Sequence, residues 1–219
     1  MYQSYQSGGL NARPTILKGE KMNEHSDWTG NGTSVYKMIG ASNHSEEERE
    51  QNDYYATDPN AVEMLLERET FSHEIWEPAC GGGHISRTLS AHGYSVKCTD
   101  LIKRIPEEIA LDFLKADTPF DGDIITNPPY RLCSEFIAKA LSLIPTGHKV
   151  AMLLKLTTLE GQKRYHEIYR DNPPEKVLVF VKRIECARGG KFTGSSAVCY
   201  SWFIWKKGFK GKPTIDWLI

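Results

Sequence analysis

Residues 73–91 read HEIWEPACGGGHISRTLSA, a short apolar strand followed by a glycine-rich turn and a helix with an apolar face. A strand that runs through a glycine turn into a helix is the repeating unit of parallel α/β sheets. Ligands of such sheets bind at the carboxyl ends of the strands. The stretch therefore predicts an open α/β fold with a binding site above the turn at residues 81–83.

The alternation of strand and helix continues on both sides of this stretch. Asp58 and Pro59 are typical of an N-cap and a first helical position, and apolar residues follow at helical spacing. Further strands are predicted at 95–99, near 109–112, at 123–126 and at 149–155, with helices at 134–143 and 162–169. The β-branched and aromatic segments 177–183 and 197–205 predict an antiparallel pair. The predicted fold class is a Rossmann-like α/β fold, a mostly parallel seven-stranded sheet with an antiparallel strand near its C-terminal end and helices on both faces.

The first part of the chain lacks both periodicities. Residues 1–52 are rich in Ser, Asn, Gly and charged residues, and such a composition buries too little apolar surface to offset the entropy of ordering. We expect a disordered polar arm over residues 1–52 and one domain over residues 53–219.

Charge is distributed unevenly along a chain whose formal net charge is only -1. Residues 46–69 contain nine acidic and two basic side chains, whereas residues 182–212 contain eight basic and one acidic. Both runs are consistent with solvated faces. The basic run is also consistent with a surface that contacts phosphates.

The five cysteines include no C-x-x-C pair, which argues against a disulfide scaffold or a zinc site and favours a reducing cytosol. No signal peptide or membrane-length apolar run is recognisable, so we expect a cytoplasmic protein without a membrane partner.

The glycine turn lies between an acidic residue, Glu77, and the helix that follows Gly83. Glycines allow positive φ angles and the close approach of a ligand. A dinucleotide fingerprint is weakened by Ser86 at its last glycine position, and a phosphate loop by His84-Ile85 where Lys-Ser or Lys-Thr is required. An acidic residue four positions before G-x-G is typical of S-adenosylmethionine sites, in which Glu77 would help to hold the methionine moiety. An ordinary tight turn remains the alternative.

Acidic residues also follow two later strands. Asp100 ends the second predicted strand, where its carboxylate would accept hydrogen bonds from ribose hydroxyls; a helix or turn cap is the alternative. Asp112-Phe113 follows the third strand. There the carboxylate would accept from an adenine amine while the ring packs on the base, and a solvated turn is the alternative.

Residues 121–130 read DGDIITNPPY, an apolar strand that runs into Asn127-Pro128-Pro129-Tyr130. The prolines remove two backbone donors and fix φ, so the loop is rigid and its carbonyls stay free. The Asn127 oxygen and the Pro128 carbonyl would accept the two hydrogens of a planar amine and aim its lone pair at an electrophile. Tyr130 would stack on an extruded base. A second Asn-Pro-Pro, at residues 172–174, follows a helix and has no aromatic neighbour, which predicts a helix stop.

The glycine turn, Asp100 and the Asn-Pro-Pro-Tyr loop together resemble the class I amino-methyltransferases, in particular the DNA adenine-N6 branch. Residues 54–59 resemble the segment that packs over the methionine end in the branch whose cofactor motifs precede the catalytic motif. Residues 155–161 and 201–217 are similar to small, phage-type adenine methyltransferases.

The resemblance implies methyl transfer from S-adenosyl-L-methionine to the N6 amine of adenine in DNA. The implied catalytic residues are Asn127, Pro128, Pro129 and Tyr130. The implied cofactor-binding residues are Tyr55, Thr57, Glu77, Pro78, Ala79, Gly81, Gly83, Asp100, Asp112, Phe113 and Asn127. The implied substrate-binding residues are Tyr130, Arg131, Arg183 and Lys191, and no metal is implied. Larger members add a target-recognition domain for which this chain has no room, so we expect short or relaxed sequence specificity.

Other functions fit the same loop. Methylation of adenine or guanine amines in RNA and methylation of protein glutamine amides use the same nucleophile geometry, although the glutamine enzymes carry a folded helical domain upstream. A catalytically silent module that binds nucleic acid is a further hypothesis, against which the intact Asn127 and Tyr130 argue. A nicotinamide oxidoreductase is disfavoured by Ser86. The oligomeric state stays open.

Overall fold

The structure, a computed structural model, describes residues 55–188 and 198–219. Its strands are β1 (Tyr55–Thr57), β2 (Glu74–Glu77), β3 (Ser95–Asp100), β4 (Ile109–Ala110), β5 (Asp123–Thr126), β6 (Lys149–Lys155), β7 (Lys176–Phe180), β8 (Cys186–Arg188), β9 (Tyr200–Lys206) and β10 (Thr214–Leu218). Eight of them form one sheet in the order β10-β7-β9-β6-β5-β2-β3-β4, and β1 pairs with β8 in a separate ribbon. The predicted arm at residues 1–52 and the predicted substrate contact Lys191 lie outside the described residues.

Strand directions confirm the predicted sheet. Only β9 runs antiparallel to its neighbours, β6 and β7, and the other pairs in the eight-stranded sheet are parallel. The prediction of seven strands is one short, because β10 extends the edge parallel to β7. Only Leu218 is buried in β10, so this strand lacks the apolar pattern by which the others are recognised.

Helices cover both faces of the sheet, as predicted. They are α1 (Pro59–Leu66), α2 (His84–Ala91), α3 (Cys133–Leu143) and the short α4 (Gln162–Arg164), which continues as a π-helical turn over Tyr165–Tyr169. Asp58 caps α1 by accepting from the Asn60 N–H at 2.9 Å, and Pro59 follows at the first helical position. The predicted start of this helix is therefore confirmed.

The core consists of two layers, because successive side chains of each strand point to opposite faces of the sheet. Ile75 and Leu153 pack with α1 and α2 on one face, whereas Trp76 and Met152 pack with α3 on the other. The buried indole of Trp202 donates to the Ala61 carbonyl at 2.8 Å and thereby ties β9 to α1. The carboxyl edge of the parallel strands is formed by the loops that follow them.

Cys80 and Cys98 form a disulfide with their Cα atoms 5.9 Å apart, so the expectation that the cysteines stay reduced is wrong for this pair. The bond joins the glycine turn to β3, which lies beside β2 in the sheet. Because the two residues meet through strand pairing and not through a local C-x-x-C spacing, the sequence carried no signal for it. No helix in the described ranges is long and apolar enough to cross a membrane.

Candidate active site

A cavity of about 470 Å³ opens at the carboxyl edge of the sheet, where the loops after β2, β3 and β5 meet. Many of the predicted site residues line it: Tyr55, Pro78, Ala79, Asp100, Asp112, Phe113, Asn127, Pro129 and Arg131. The structure thus brings together residues from five separate segments of the sequence at the edge where ligands of parallel sheets bind.

Several residues that line the cavity were not predicted from sequence: Leu101, Arg104, Leu111, Leu114, Leu132 and Phe136. Four of them lie in residues 101–114, where only the two-residue strand β4 and the start of a 3₁₀ turn are regular, so the sequence has no clear helical or strand periodicity there. Glu108 anchors this segment, because its buried carboxylate accepts from the backbone N–H groups of Arg104 and Ile105. The sequence does not show that Glu108 is buried, so this role of Glu108 could not be predicted from it.

The glycine turn is shaped by left-handed backbone at Gly81 (φ 52°) and Gly83 (φ 74°). Gly81 donates its N–H to Asp100 Oδ2 at 2.9 Å, and Gly83 caps α2. Neither glycine lines the cavity; instead they hold the turn so that Pro78 and Ala79 do. The two glycines thus shape the turn, and their direct contact with a cofactor stays a prediction.

We expect Gly83→Ala to destabilise the fold more than Gly93→Ala. Both residues have positive φ (74° and 86°), but a Cβ on Gly83 would lie 2.6 Å from Ile105 Cδ1, whereas one on Gly93 would meet nothing within 4 Å. The shared backbone strain costs about 1 kcal/mol, and turning the half-buried Ile105 side chain away from the new methyl group adds on the order of 1 kcal/mol at Gly83 only. Thermal unfolding of both variants measures the difference, and equal losses of stability would contradict the packing around Gly83.

Asp100 is held in place by three groups. Its carboxylate accepts from Gly81 N–H, from Ile102 N–H at 3.1 Å and from Arg104, whose guanidinium is 3.0 Å away. Asp100 therefore does cap a turn, the alternative raised for it, and it also lines the cavity. A carboxylate has about four lone-pair sites, so the proposed bonds to ribose must share the oxygens with these donors.

Asp112 both caps a turn and lines the cavity, so it shows features of each of the two alternatives predicted for Asp112-Phe113. Asp112 accepts from Leu114 N–H at 3.2 Å and caps the 3₁₀ turn Phe113–Lys115, yet it lines the cavity. The Phe113 ring is buried and lies nearly perpendicular to the ring of Trp76, with the two ring centroids 5.2 Å apart. An apolar wall and a carboxylate are thus adjacent, as contact with a purine would require.

Glu77 is a buried carboxyl group at the end of β2, 1% exposed, and its Oε2 has no hydrogen-bond partner within the described residues. Burial raises the pKa of Glu77 well above its usual range, although hydrogen bonds from Ser86 act to lower it, and the nearby Asp100 and Glu108 act to raise it. A small cleft beside the main cavity is lined by Glu77, Thr57, His84 and Asn127. An unpartnered buried carboxylate oxygen costs free energy unless a ligand supplies a donor.

Asn127 follows β5 directly, and its amide is oriented by its neighbours. Nδ2 donates to Thr57 Oγ1 at 3.1 Å and to the Tyr55 carbonyl at 3.4 Å. Oδ1 is buried and has no partner in the described residues. The free end of the amide is therefore a hydrogen-bond acceptor beside the cavity that Asn127 lines.

Tyr130 is half-buried and packs among other aromatic rings. Its ring is 5.9 Å from that of Tyr55 and 5.8 Å from that of Tyr200, with the Lys155 ammonium 5.2 Å from its centroid. Its hydroxyl is buried without a hydrogen-bond partner in the described residues, and burial raises the pKa of Tyr130 well above its usual range. Stacking of a base on Tyr130 stays a prediction.

The sheet separates the basic run of residues 182–212 into two parts. Lys182 and Arg183 follow β7 and lie at its carboxyl end, the edge that carries the cavity. Lys206 and Lys212 lie at the opposite edge, because β9 is antiparallel and β10 starts there. Lys182 and Arg183 therefore lie at the same edge of the sheet as the exposed Arg131, which lines the cavity, whereas Lys206 and Lys212 do not.

Comparisons with known proteins identify the architecture. By sequence, no protein-family model and no curated protein matches the chain. By structure, a predicted O-methyltransferase from Agrobacterium tumefaciens superposes with a TM-score of 0.55 at 12% identity, over 74% of this chain and 86% of that chain. The fold is that of the class I methyltransferases.

Two further solved structures share the class I fold. The methyltransferase subunit of a type I restriction-modification system from Streptococcus thermophilus has a TM-score of 0.52 at 13% identity, over 72% of this chain and 45% of that chain. A protein assigned to the class I S-adenosylmethionine-dependent methyltransferases from Listeria monocytogenes has a TM-score of 0.51 at 13% identity, over 84% and 70%. The described residues include no group of three or more His, Cys, Asp or Glu side chains placed to hold a metal ion.

Proposed function

We propose that the chain transfers a methyl group from S-adenosylmethionine to an exocyclic amine of a nucleic-acid base, with the N6 amine of adenine in DNA as the favoured target. The observation that carries the proposal is the Asn127 amide: the residue lines the cavity beside the glycine turn, and its Oδ1 is buried without a hydrogen-bond partner among the described residues. A buried acceptor without a donor is rare unless a ligand completes it.

The residues around the glycine turn fit this cofactor. Glu77 Oε2 is a buried acceptor without a partner, which an ammonium group would satisfy. Asp100 and Asp112 present carboxylates to the same cavity, and Phe113 supplies an apolar wall for a purine. S-adenosylmethionine would supply an electrophilic methyl group on its sulfonium, and the chain would supply position and charge.

Asn127 and the two prolines suit an amine nucleophile. The Asn127 Oδ1 and the Pro128 carbonyl accept the two amine hydrogens, which draws the nitrogen lone pair out of conjugation with the ring. Fixed acceptors of this kind act by orientation and by stabilising the positive charge that develops on nitrogen. The amine needs no strong base before attack, because its proton can leave after the nitrogen has become positive.

DNA is the favoured polymer because the motif order and the Asn-Pro-Pro-Tyr loop resemble the DNA adenine-N6 branch. The fold is also shared with a methyltransferase subunit of a restriction-modification system, although 13% identity shows the fold alone. RNA amine methylation is the second candidate, since the Asn127 acceptor reads an amine and not a sugar. Protein glutamine methylation and a silent binding module rank below both.

The test is incubation of the full chain with methyl-labelled cofactor and, in separate reactions, duplex DNA, single-stranded DNA, RNA and a protein mixture. We expect label in DNA. Label confined to RNA would move the substrate to the second candidate, and label in protein glutamine would overturn the nucleic-acid proposal. A matched reaction with Asn127→Ala separates catalysis from adsorption.

Replacing Lys182 and Arg183 together by alanine should reduce the salt dependence of DNA binding. Each lost phosphate contact lowers the slope of log K against log salt by about 1. The matched control is Lys206→Ala with Lys212→Ala, which removes the same charge from the opposite edge of the sheet. Equal slopes for the two double variants would place the DNA surface away from the carboxyl edge of β7.

A further inference from the structure

The Asn127 amide is held by an element that lies outside the catalytic loop. Tyr55 and Thr57 in β1 accept both hydrogens of Nδ2, and Cys186 Sγ in β8 lies 3.8 Å from the same nitrogen. The two strands pair antiparallel, with Thr57 opposite Cys186. Burial raises the pKa of Cys186 to about 12, so its sulfur is a neutral thiol that adds no charge to the contact.

The Tyr55 carbonyl determines which end of the amide faces the β1–β8 ribbon. A carbonyl oxygen only accepts, so a rotated amide would set Asn127 Oδ1 against the Tyr55 oxygen at the 3.4 Å where Nδ2 now donates. Two carbonyl oxygens at that distance, with no donor between them, repel each other. The ribbon therefore favours one amide orientation, in which Oδ1 is the unpartnered end.

We propose that the β1–β8 ribbon orients the Asn127 amide through Thr57 and the Tyr55 carbonyl. In this orientation Asn127 offers a hydrogen-bond acceptor, Oδ1, to the substrate, and the site therefore selects exocyclic amines. The proposal rests on the function proposed above, because it takes the target to be an amine. A rotated amide would offer N–H donors and would fit a base carbonyl, such as the O6 of guanine or the O4 of thymine, better than an amine. Thr57 acts here through Asn127, which differs from the direct cofactor contact predicted for it.

The test compares Thr57→Val, which keeps the shape and removes the hydroxyl, with Thr57→Ser, which keeps the hydroxyl. The matched control is Thr88→Val, another buried threonine, whose hydroxyl bonds within α2. The first readout is hydrogen exchange of the Asn127 side-chain amide in the cofactor-free protein by nuclear magnetic resonance, with the signal assigned by its loss in Asn127→Ala. The second readout is kcat for methyl transfer beside the dissociation constant of the cofactor.

We expect exchange at Asn127 to be about tenfold faster in Thr57→Val, the factor that one hydrogen bond of typical net strength contributes, and to be restored in Thr57→Ser. The kcat should fall by about the same factor while the dissociation constant of the cofactor stays within about twofold. Thr88→Val should change neither readout. Should Thr57→Val not fold, Thr57→Ala carries the same comparison.

Unchanged exchange in Thr57→Val would overturn the inference. So would a loss of cofactor affinity with unchanged exchange and kcat, which would make Thr57 a cofactor ligand. A wild-type chain that methylates no amine would contradict the proposed function instead, and the exchange pattern would still report how the amide is held.

Discussion

Asn127→Ala is expected to lower kcat for methyl transfer by about 100- to 1,000-fold, the loss seen when one preorganised hydrogen-bonding group is removed from an active site. The variant removes the acceptor Oδ1 and leaves Thr57 and the Tyr55 carbonyl without their donor. Because the lost contact is to the reacting amine, cofactor affinity should change little. Initial rates with labelled cofactor and calorimetric titration of the cofactor measure the two quantities separately.

The chain contains its own control for this prediction. Asn172 begins the second Asn-Pro-Pro, which ends the helical turn before β7, as its sequence context predicts. Its carbonyl accepts from the Trp205 indole at 3.2 Å through the backbone, which alanine keeps. Asn172→Ala should therefore retain activity, and an equal loss in both variants would show that the effect is on folding and not on the amine.

Glu77→Gln is expected to weaken binding of S-adenosylmethionine by about 10- to 100-fold, because hydrogen bonds to charged groups contribute about 1.5–3 kcal/mol. Glutamine keeps the shape and an acceptor but removes the charge that an ammonium group would pair with. Glu63→Gln is the control, since Glu63 lies half-exposed on α1 and pairs with His92. Isothermal calorimetry of both variants measures the effect, and unchanged affinity in Glu77→Gln would remove Glu77 from the cofactor site.

The pH dependence of the same contact has a definite sign. Burial raises the pKa of Glu77, so over the pH range below that raised value the carboxyl group is protonated in the cofactor-free protein. An ammonium group beside it favours the charged form, so binding releases a proton and affinity rises with pH within this window. Calorimetry in buffers of different ionisation enthalpy detects the proton, and Glu77→Gln should abolish it.

Stability should change in the opposite sense to affinity. A carboxyl group whose pKa is raised by folding costs stability as pH rises above its unfolded value, because the folded protein must then either keep the proton or bury the charge. Glu77→Gln removes this cost, so its cofactor-free form should unfold at a higher temperature than the wild type at alkaline pH. A lower unfolding temperature would contradict this cost and would show that the hydrogen bonds from Ser86 to the carboxylate outweigh it.

The fold followed from sequence wherever burial left a periodic pattern. The strand that ends at Glu77, the capped helix at Asp58 and the apolar strand before Asn127 all lie where their spacing predicts. β10 was missed because its exposed side chains do not alternate with buried ones. A sheet edge leaves one side of a strand in solvent, which removes the signal.

Only part of the candidate site could be predicted from the sequence, because many of its contacts join residues that are far apart along the chain. Asn127 meets Tyr55 and Thr57 across some seventy positions of sequence, and no local pattern links β1 to β8. The depth of Tyr130 and the disulfide between Cys80 and Cys98 likewise depend on how the strands align. Sequence motifs thus indicate which side chains meet at a sheet edge, but how each side chain is oriented depends on the tertiary structure.

The central claim is tested most directly by identifying the methylated nucleoside. DNA incubated with the full chain and methyl-labelled S-adenosylmethionine is digested to nucleosides, which are separated and analysed by mass spectrometry, with Asn127→Ala and Asn172→Ala treated alike. We expect N6-methyldeoxyadenosine from the wild type and from Asn172→Ala. The amount formed by Asn127→Ala in the same time should be lower by a factor of about 100 or more. Methyl groups on a ring carbon or on an oxygen, or an adenine product that survives Asn127→Ala undiminished, would contradict the account.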